Sequence, residues 1–162
     1  MKKKIVTMSL TVLFSVTALF GNELAKEIIP TKHNKKLTIG ELAEIQPGLG
    51  TIMIEFGHRF YIAYYAAKAG NWQLAKYELE ELVEAQETAE ATRPEYAKDL
   101  KSFESNVFLK LLESINTKDF KLFSKRYEET TKACNRCHKT HGHEYIYYQL
   151  PKTPPKYLRM EL

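Results

Sequence analysis

FKLFSKRYEETTKACNRCHKTH, residues 120–141, is the stretch that decides the fold. Phe120, Phe123, Tyr127, Thr130, Cys134, Cys137 and His141 follow one another in steps of three and four. That spacing puts them on one stripe of an α-helix. His138 lies beside Cys134, one turn further along. The chain has only two cysteines, and both stand on this stripe. The helix therefore turns two thiols and an imidazole toward the same interior as its aromatic rings.

Within that stretch, Cys134-Asn135-Arg136-Cys137-His138 reads Cys-x-x-Cys-His, the attachment pattern of a c-type haem. Each residue has a chemical reason. Two thiols on one side of a helical turn can add to the two vinyl groups of one porphyrin. The histidine after the second cysteine then offers its imidazole to the iron, which makes His138 the proximal ligand. One covalent haem c is the cofactor this pattern implies.

Upstream, the same helical period recurs. Thr38-Ile39-Gly40-Glu41 has the spacing of a capping box and predicts a short helix ending before Pro47. Leu49, Met53, Phe56, Phe60, Ala63 and Ala67 form the stripe of a long helix that stops at Gly70-Asn71. Trp72 opens the next, with Ala75, Leu79, Leu82, Val83 and Gln86 on one face and Glu78, Glu80, Glu81 and Glu84 toward water. Thr92-Arg93-Pro94-Glu95 starts a third helix, with proline in its first turn and a stripe of Tyr96, Leu100, Phe103, Val107, Leu111 and Ile115. Asn116 to Asp119 make a turn, and Asp119 caps the fourth helix. No segment alternates with the period of a strand. Four helices with short links predict an all-α, antiparallel up-down-up-down four-helix bundle with a covalently bound haem.

The first residues carry a different signal. Lys2-Lys3-Lys4 precedes an apolar run from Ile5 to Phe20, with small residues after it. This is the pattern of a secretory signal peptide over 1–21, and it is short for a membrane span. A retained N-terminal anchor is the competing reading. Covalent haem attachment occurs outside the bacterial cytoplasm, so export to the periplasm agrees with the motif. The expected organisation is a signal peptide at 1–21, a leader with a short helix at 22–45, a haem-binding bundle at 46–143 and an extended Tyr/Pro-rich tail at 144–162. The tail holds Tyr145, Tyr147, Tyr148 and Tyr157 with Pro151, Pro154 and Pro155, which favour an extended path.

The 162 residues carry a formal charge of +4. Removing Lys2, Lys3 and Lys4 with the leader leaves 21 basic residues against 20 acidic, or +1. Haem propionates would lower this further, so the charge gives no case for nucleic-acid binding. Lys32-His33-Asn34-Lys35-Lys36 is a local basic run, read as a solvated leader in preference to a docking patch. Ten Tyr and eight Phe suit a core that must wall in a flat cofactor.

The helix layout from about Gln46 to His141, with Phe120 and Phe123 upstream of the Cys-x-x-Cys-His motif, resembles the class II c-type cytochromes. That group includes cytochrome c′ and cytochrome c-556. The resemblance implies a four-helix bundle with the haem motif near the end of the last helix, an exported precursor and a distal haem face built from the first helix. In members similar to cytochrome c-556 a methionine of that helix ligates the iron, and Met53 stands at the matching place. In cytochrome c′ an apolar side chain leaves the iron open. The tail after His143 is longer than the family shows. Family members are often dimers through the first two helices, so a homodimer is a further implication.

Thioether ligation favours Fe(II) and suits electron transfer. A methionine on a helical stripe also serves as plain core filler. His58 is the rival distal ligand, but it lies about 140° around the helix from Met53, so the two cannot face one iron. Arg59 and Arg136 are candidates for the propionates, because guanidinium forks match carboxylates; a solvated arginine is the competing reading for each. Phe56, Phe60 and Tyr127 are candidates to pack on the porphyrin. Gly57, one turn after Met53, would leave room above it.

Two functions follow. The first is an exported monohaem electron carrier that meets a redox partner protein, with no enzymatic reaction of its own. The second is a cytochrome c′-like protein that binds NO or CO at an open iron. A haem subunit held in a larger respiratory assembly is a third. Zinc binding by Cys134, Cys137, His138, His141 and His143 would crowd the ligands onto one helix end and lacks the usual second pair. A thioredoxin-like dithiol would need a βαβ setting that is missing.

Overall fold

The computed structural model describes residues 23–30 and 36–161. The expected signal peptide at 1–21 and most of the basic run at Lys32–Lys36 lie outside the described residues. Two compact units divide the chain, Met1–Gln46 and Pro47–Leu162. The protein is mostly helical, and among the described residues no helix is long and apolar enough to cross a membrane.

In the first unit a small antiparallel ribbon pairs β1 (Ile28–Pro30) with β2 (Lys36–Thr38). The ribbon is a small addition to a mostly helical chain. Each strand has three residues, too few to show a period of two in the sequence. Thr38 ends β2 and caps α1 (Ile39–Glu44). The Thr38 hydroxyl accepts from the Glu41 amide at 3.0 Å, and the Thr38 amide donates to the Glu41 carboxylate at 2.7 Å. This is the capping box read from Thr38 and Glu41. Those bonds hold the Glu41 carboxyl below its ordinary pKa.

The second unit begins with α2 (Leu49–Lys68). It stops at Ala69, and Gly70 takes a left-handed φ of 82°, which a residue without Cβ adopts freely. Asn71 then accepts from the Leu74 amide and starts α3 (Trp72–Thr92). Pro94 occupies the first position of α4 (Pro94–Phe103). A π turn, Glu104–Phe108, joins α4 to α5 (Leu109–Ser114) without a break in the rod. After a 3₁₀ turn, Asp119 accepts from the Lys121 and Leu122 amides and caps α6 (Phe120–Thr140).

The π turn changes which residues reach the core. Phe103 and Phe108 are five apart, about 140° around an ordinary helix. One extra residue in the turn brings them together. Both rings pack on Phe56, with centroids at 6.1 and 5.9 Å. Phe108 is fully buried, whereas Val107, the expected stripe residue, is half-buried.

Contacts run from α2 to α3, from α3 to α4, from α5 to α6 and from α6 back to α2. The core between them is led by Phe60, Phe108, Phe123, Leu79, Leu82 and Leu111. Trp72, Tyr64 and Tyr127 close its aromatic end through contacts with Phe123, Phe120 and Phe60. Glu78 was expected to face water, yet it is 6% exposed. Its carboxylate accepts from Arg59 Nη1 at 3.0 Å, which answers the cost of burying the charge.

The tail from Tyr145 onward has no regular secondary structure and runs back over α2 and α6. Tyr61 and Tyr65 of α2 donate to the carbonyls of Thr153 and Pro151 at 2.7 and 2.8 Å. Met160 is buried at 4% exposure, and Leu150 and Leu158 pack against the core.

Candidate functional site

Cys134 and Cys137 are i, i+3 on α6, and the helical turn between them keeps both on one face. They open into a cavity of about 930 Å³ within the second unit. That size falls in the range of about 300–1,000 Å³ usual for small-molecule and cofactor sites. Its wall is mainly apolar. Leu49, Met53 and Phe56 of α2, Leu100 and Phe103 of α4, and Phe60 supply much of it. Exposed Ile54, Tyr145 and Tyr147 also line it, so the cavity reaches the surface.

Both thiols are free and half-buried. Burial, with the nearby Cys137, pushes the Cys134 thiol up to about 12. Burial and Asp99 raise Cys137 as well. Both groups are therefore neutral thiols at pH 7. A redox-active dithiol needs the opposite, a stabilised thiolate.

His138 is held by the tail. Its Nδ1 lies 2.8 Å from the Ile146 carbonyl. A carbonyl only accepts, so Nδ1 carries a proton, and in the neutral ring Nε2 then keeps its lone pair. This is the tautomer of an imidazole prepared to ligate a metal through Nε2. Two more bonds fasten the same stretch. The Tyr148 amide donates to Asn135 Oδ1 at 2.8 Å, and Asn135 Nδ2 donates to the Tyr148 carbonyl at 3.0 Å. The Tyr148 hydroxyl pairs with that of Tyr127 at 2.8 Å, and its ring lies 5.4 Å from Phe60. Burial raises both phenols, Tyr148 to about 12 and Tyr127 further still.

The cavity gathers Met53, Phe56, Phe60, Cys134, Cys137 and His138. Met53 is half-buried and also packs on the cluster of Ile52, Ala89 and Leu100. Gly57 lines the cavity too, but the Tyr148 ring sits against it, 3.6 Å from where a Cβ would stand. The room expected there is taken by the tail.

Four candidates fall elsewhere. His58 is exposed and outside the cavity; its Nε2 meets the Tyr157 hydroxyl at 2.7 Å under a stacked ring. Arg59 is committed to Glu55, Glu78 and Glu81 at 3.0, 3.0 and 3.4 Å, so it is not free for a propionate. Arg136 is exposed and absent from the cavity wall. Tyr127 stands behind the wall, stacked on Phe60 at 3.8 Å.

Sequence reading missed Arg93, Asn135 and the Ile146 carbonyl, while His141 stands on the inward stripe as read. Arg93, at the α3–α4 junction, puts a cation on the cavity wall. His141 caps the end of α6 and lines the cavity, with its Nε2 3.1 Å from Asp99 and its ring edge-on to Tyr96. The Ile146 carbonyl meets His138, and Asn135 binds the backbone of Tyr148 two residues on. Of the missed residues, Arg93 had a visible signal, its place beside the helix-starting Pro94. Among the described residues, no group of three or more His, Cys, Asp or Glu converges as a metal-holding set. Comparison with family models, curated proteins and solved structures finds no match for this chain.

Proposed function

We propose that this chain is an exported, periplasmic monohaem c-type cytochrome that carries electrons, built as an up-down-up-down four-helix bundle of class II type. The observation that carries the reading is the convergence of Cys134, Cys137, His138 and Met53 on one largely apolar cavity, with the His138 lone pair left free. The residues fit the group. Cys134 and Cys137 would hold a haem through thioethers, and their neutral thiols carry the proton that addition to a vinyl group consumes. His138 would ligate the iron through Nε2, and Met53 is the candidate for the sixth position. Arg93 is the guanidinium on the wall available to a propionate.

When bound, haem supplies a one-electron Fe(III)/Fe(II) couple. The chain's own residues do the rest. Phe56, Phe60, Leu100 and Phe103 exclude water, and the Ile146 carbonyl holds the His138 ring through Nδ1. Exposed Tyr145 and Tyr147 mark the side on which a redox partner protein would approach. No reacting acid–base or nucleophile pair is part of the proposal, so it describes a carrier and not an enzyme.

A second reading, binding of NO or CO at an open iron, is favoured by one observation. Met53 already packs among Ile52, Ala89 and Leu100, as a core residue would. The spectrum of the oxidised protein separates the two. A low-spin spectrum with the long-wavelength sulfur-to-iron band supports the carrier. A high-spin spectrum that shifts on adding NO or CO to the protein supports the open iron.

A further inference from the structure

Asn135 occupies a position that the Cys-x-x-Cys-His pattern leaves open, and the proposed function gives it no role. Yet its carboxamide makes the only pair of side-chain bonds to a single backbone residue recorded among the described residues of α6 and the tail. Oδ1 accepts from the Tyr148 amide at 2.8 Å, and Nδ2 donates to the Tyr148 carbonyl at 3.0 Å. Two residues back along the same segment, the Ile146 carbonyl accepts from His138 Nδ1 at 2.8 Å. Asn135 and His138 are three apart on α6, so they lie on neighbouring turns of one face. Ile146 and Tyr148 are two apart, and the carbonyls of both accept from side chains of α6. The two spacings match, and the segment lies across the helix end like a strap.

We infer that Asn135 is a positioning residue: it binds Tyr148 and thereby holds the Ile146 carbonyl on His138 Nδ1, which fixes the tautomer and orientation of the imidazole. Tyr127 steadies the same segment from its other side through the Tyr148 hydroxyl. The tail is then part of the haem site. An acceptor on Nδ1 makes the ring a stronger donor at Nε2 and so favours Fe(III). Loosening the strap weakens that donation and raises the reduction potential.

This inference rests on the haem reading, and the experiment separates the two. Ferrous holoprotein labelled with ¹⁵N gives the His138 Nδ1–H signal and its exchange with solvent, and spectroelectrochemistry gives the potential. Asn135→Ala removes two hydrogen bonds, so Nδ1–H exchange should quicken on the order of tenfold, and the potential should rise. Asn135→Asp keeps the acceptor and loses the donor, so it should fall between. Tyr157→Phe, which frees a different part of the tail from His58, should change neither. A red wild-type protein in which Asn135→Ala leaves both exchange and potential unchanged overturns the inference. A colourless wild-type protein instead sinks the haem reading. The Tyr148 amide then still reports the strap, and unchanged exchange in Asn135→Ala overturns that as well.

Discussion

At the scale of single residues, the chemistry rests on protonation states that the fold imposes. His138 is held with its proton on Nδ1, and Cys134 and Cys137 are held as neutral thiols. Met53 is where the account is most exposed. If its thioether ligates the iron, Met53→Ala turns a low-spin spectrum high-spin and lets added CO bind the reduced protein. A low-spin spectrum that survives the change removes Met53 from the ligand set. The residues legible in sequence were those with a chemical signature, namely the two thiols, the adjacent histidine and a methionine on the inward stripe. Asn135 and Ile146 were not legible, because they act through backbone groups 8 to 13 residues away, and a backbone carbonyl has no letter of its own. Arg59 was misread for a related reason. Its three carboxylate partners come partly from α3, and nothing local in the sequence shows that Glu78 turns inward.

At the scale of elements, the helix ends were legible because their signals are local. Thr38 with Glu41, Gly70 with Asn71, Pro94 and Asp119 each act within one turn of where they stand. Asp119→Ala leaves the first amides of α6 uncapped and should cost about 1 kcal/mol, read from the midpoint of urea unfolding. A change within error would remove the cap from the account. The π turn was not legible, since it arises from packing and not from a local code. It shifts the inward stripe from Val107 to Phe108, and Phe108 then meets Phe56 and Phe103. Phe108→Ala should therefore cost about 3–5 kcal/mol, and Val107→Ala clearly less. Equal costs would mean that the rod winds as an ordinary α-helix there. The three-residue strands of the first unit escaped notice for want of length.

At the scale of the whole molecule, the tail and the helices share one core, and the buried titrating groups give it an alkaline limit. Cys134 moves from an ordinary 9.0 to about 12, Tyr148 from 10.0 to about 12, and Tyr127 higher still, in each case chiefly through burial. Above pH 9 the unfolded chain gives up these protons before the folded one does. The folded state then binds more protons, so stability falls as pH rises. Apoprotein stability should be flat for these groups below pH 9 and decline between pH 9 and 12, as followed by denaturant midpoints. In holoprotein the Cys134 part of the decline should vanish, because a thioether has no proton to lose, while the tyrosine part remains. Identical declines in the two forms would argue that Cys134 carries no thioether. The central claim, a single haem bound covalently through both thiols, is tested most directly by the mass of mature protein made in a host competent for c-type cytochrome maturation. The account predicts the polypeptide plus one haem, surviving acid–acetone extraction, and loss of that stable adduct when both cysteines are changed to alanine. A mature wild-type protein with the mass of the bare polypeptide contradicts it.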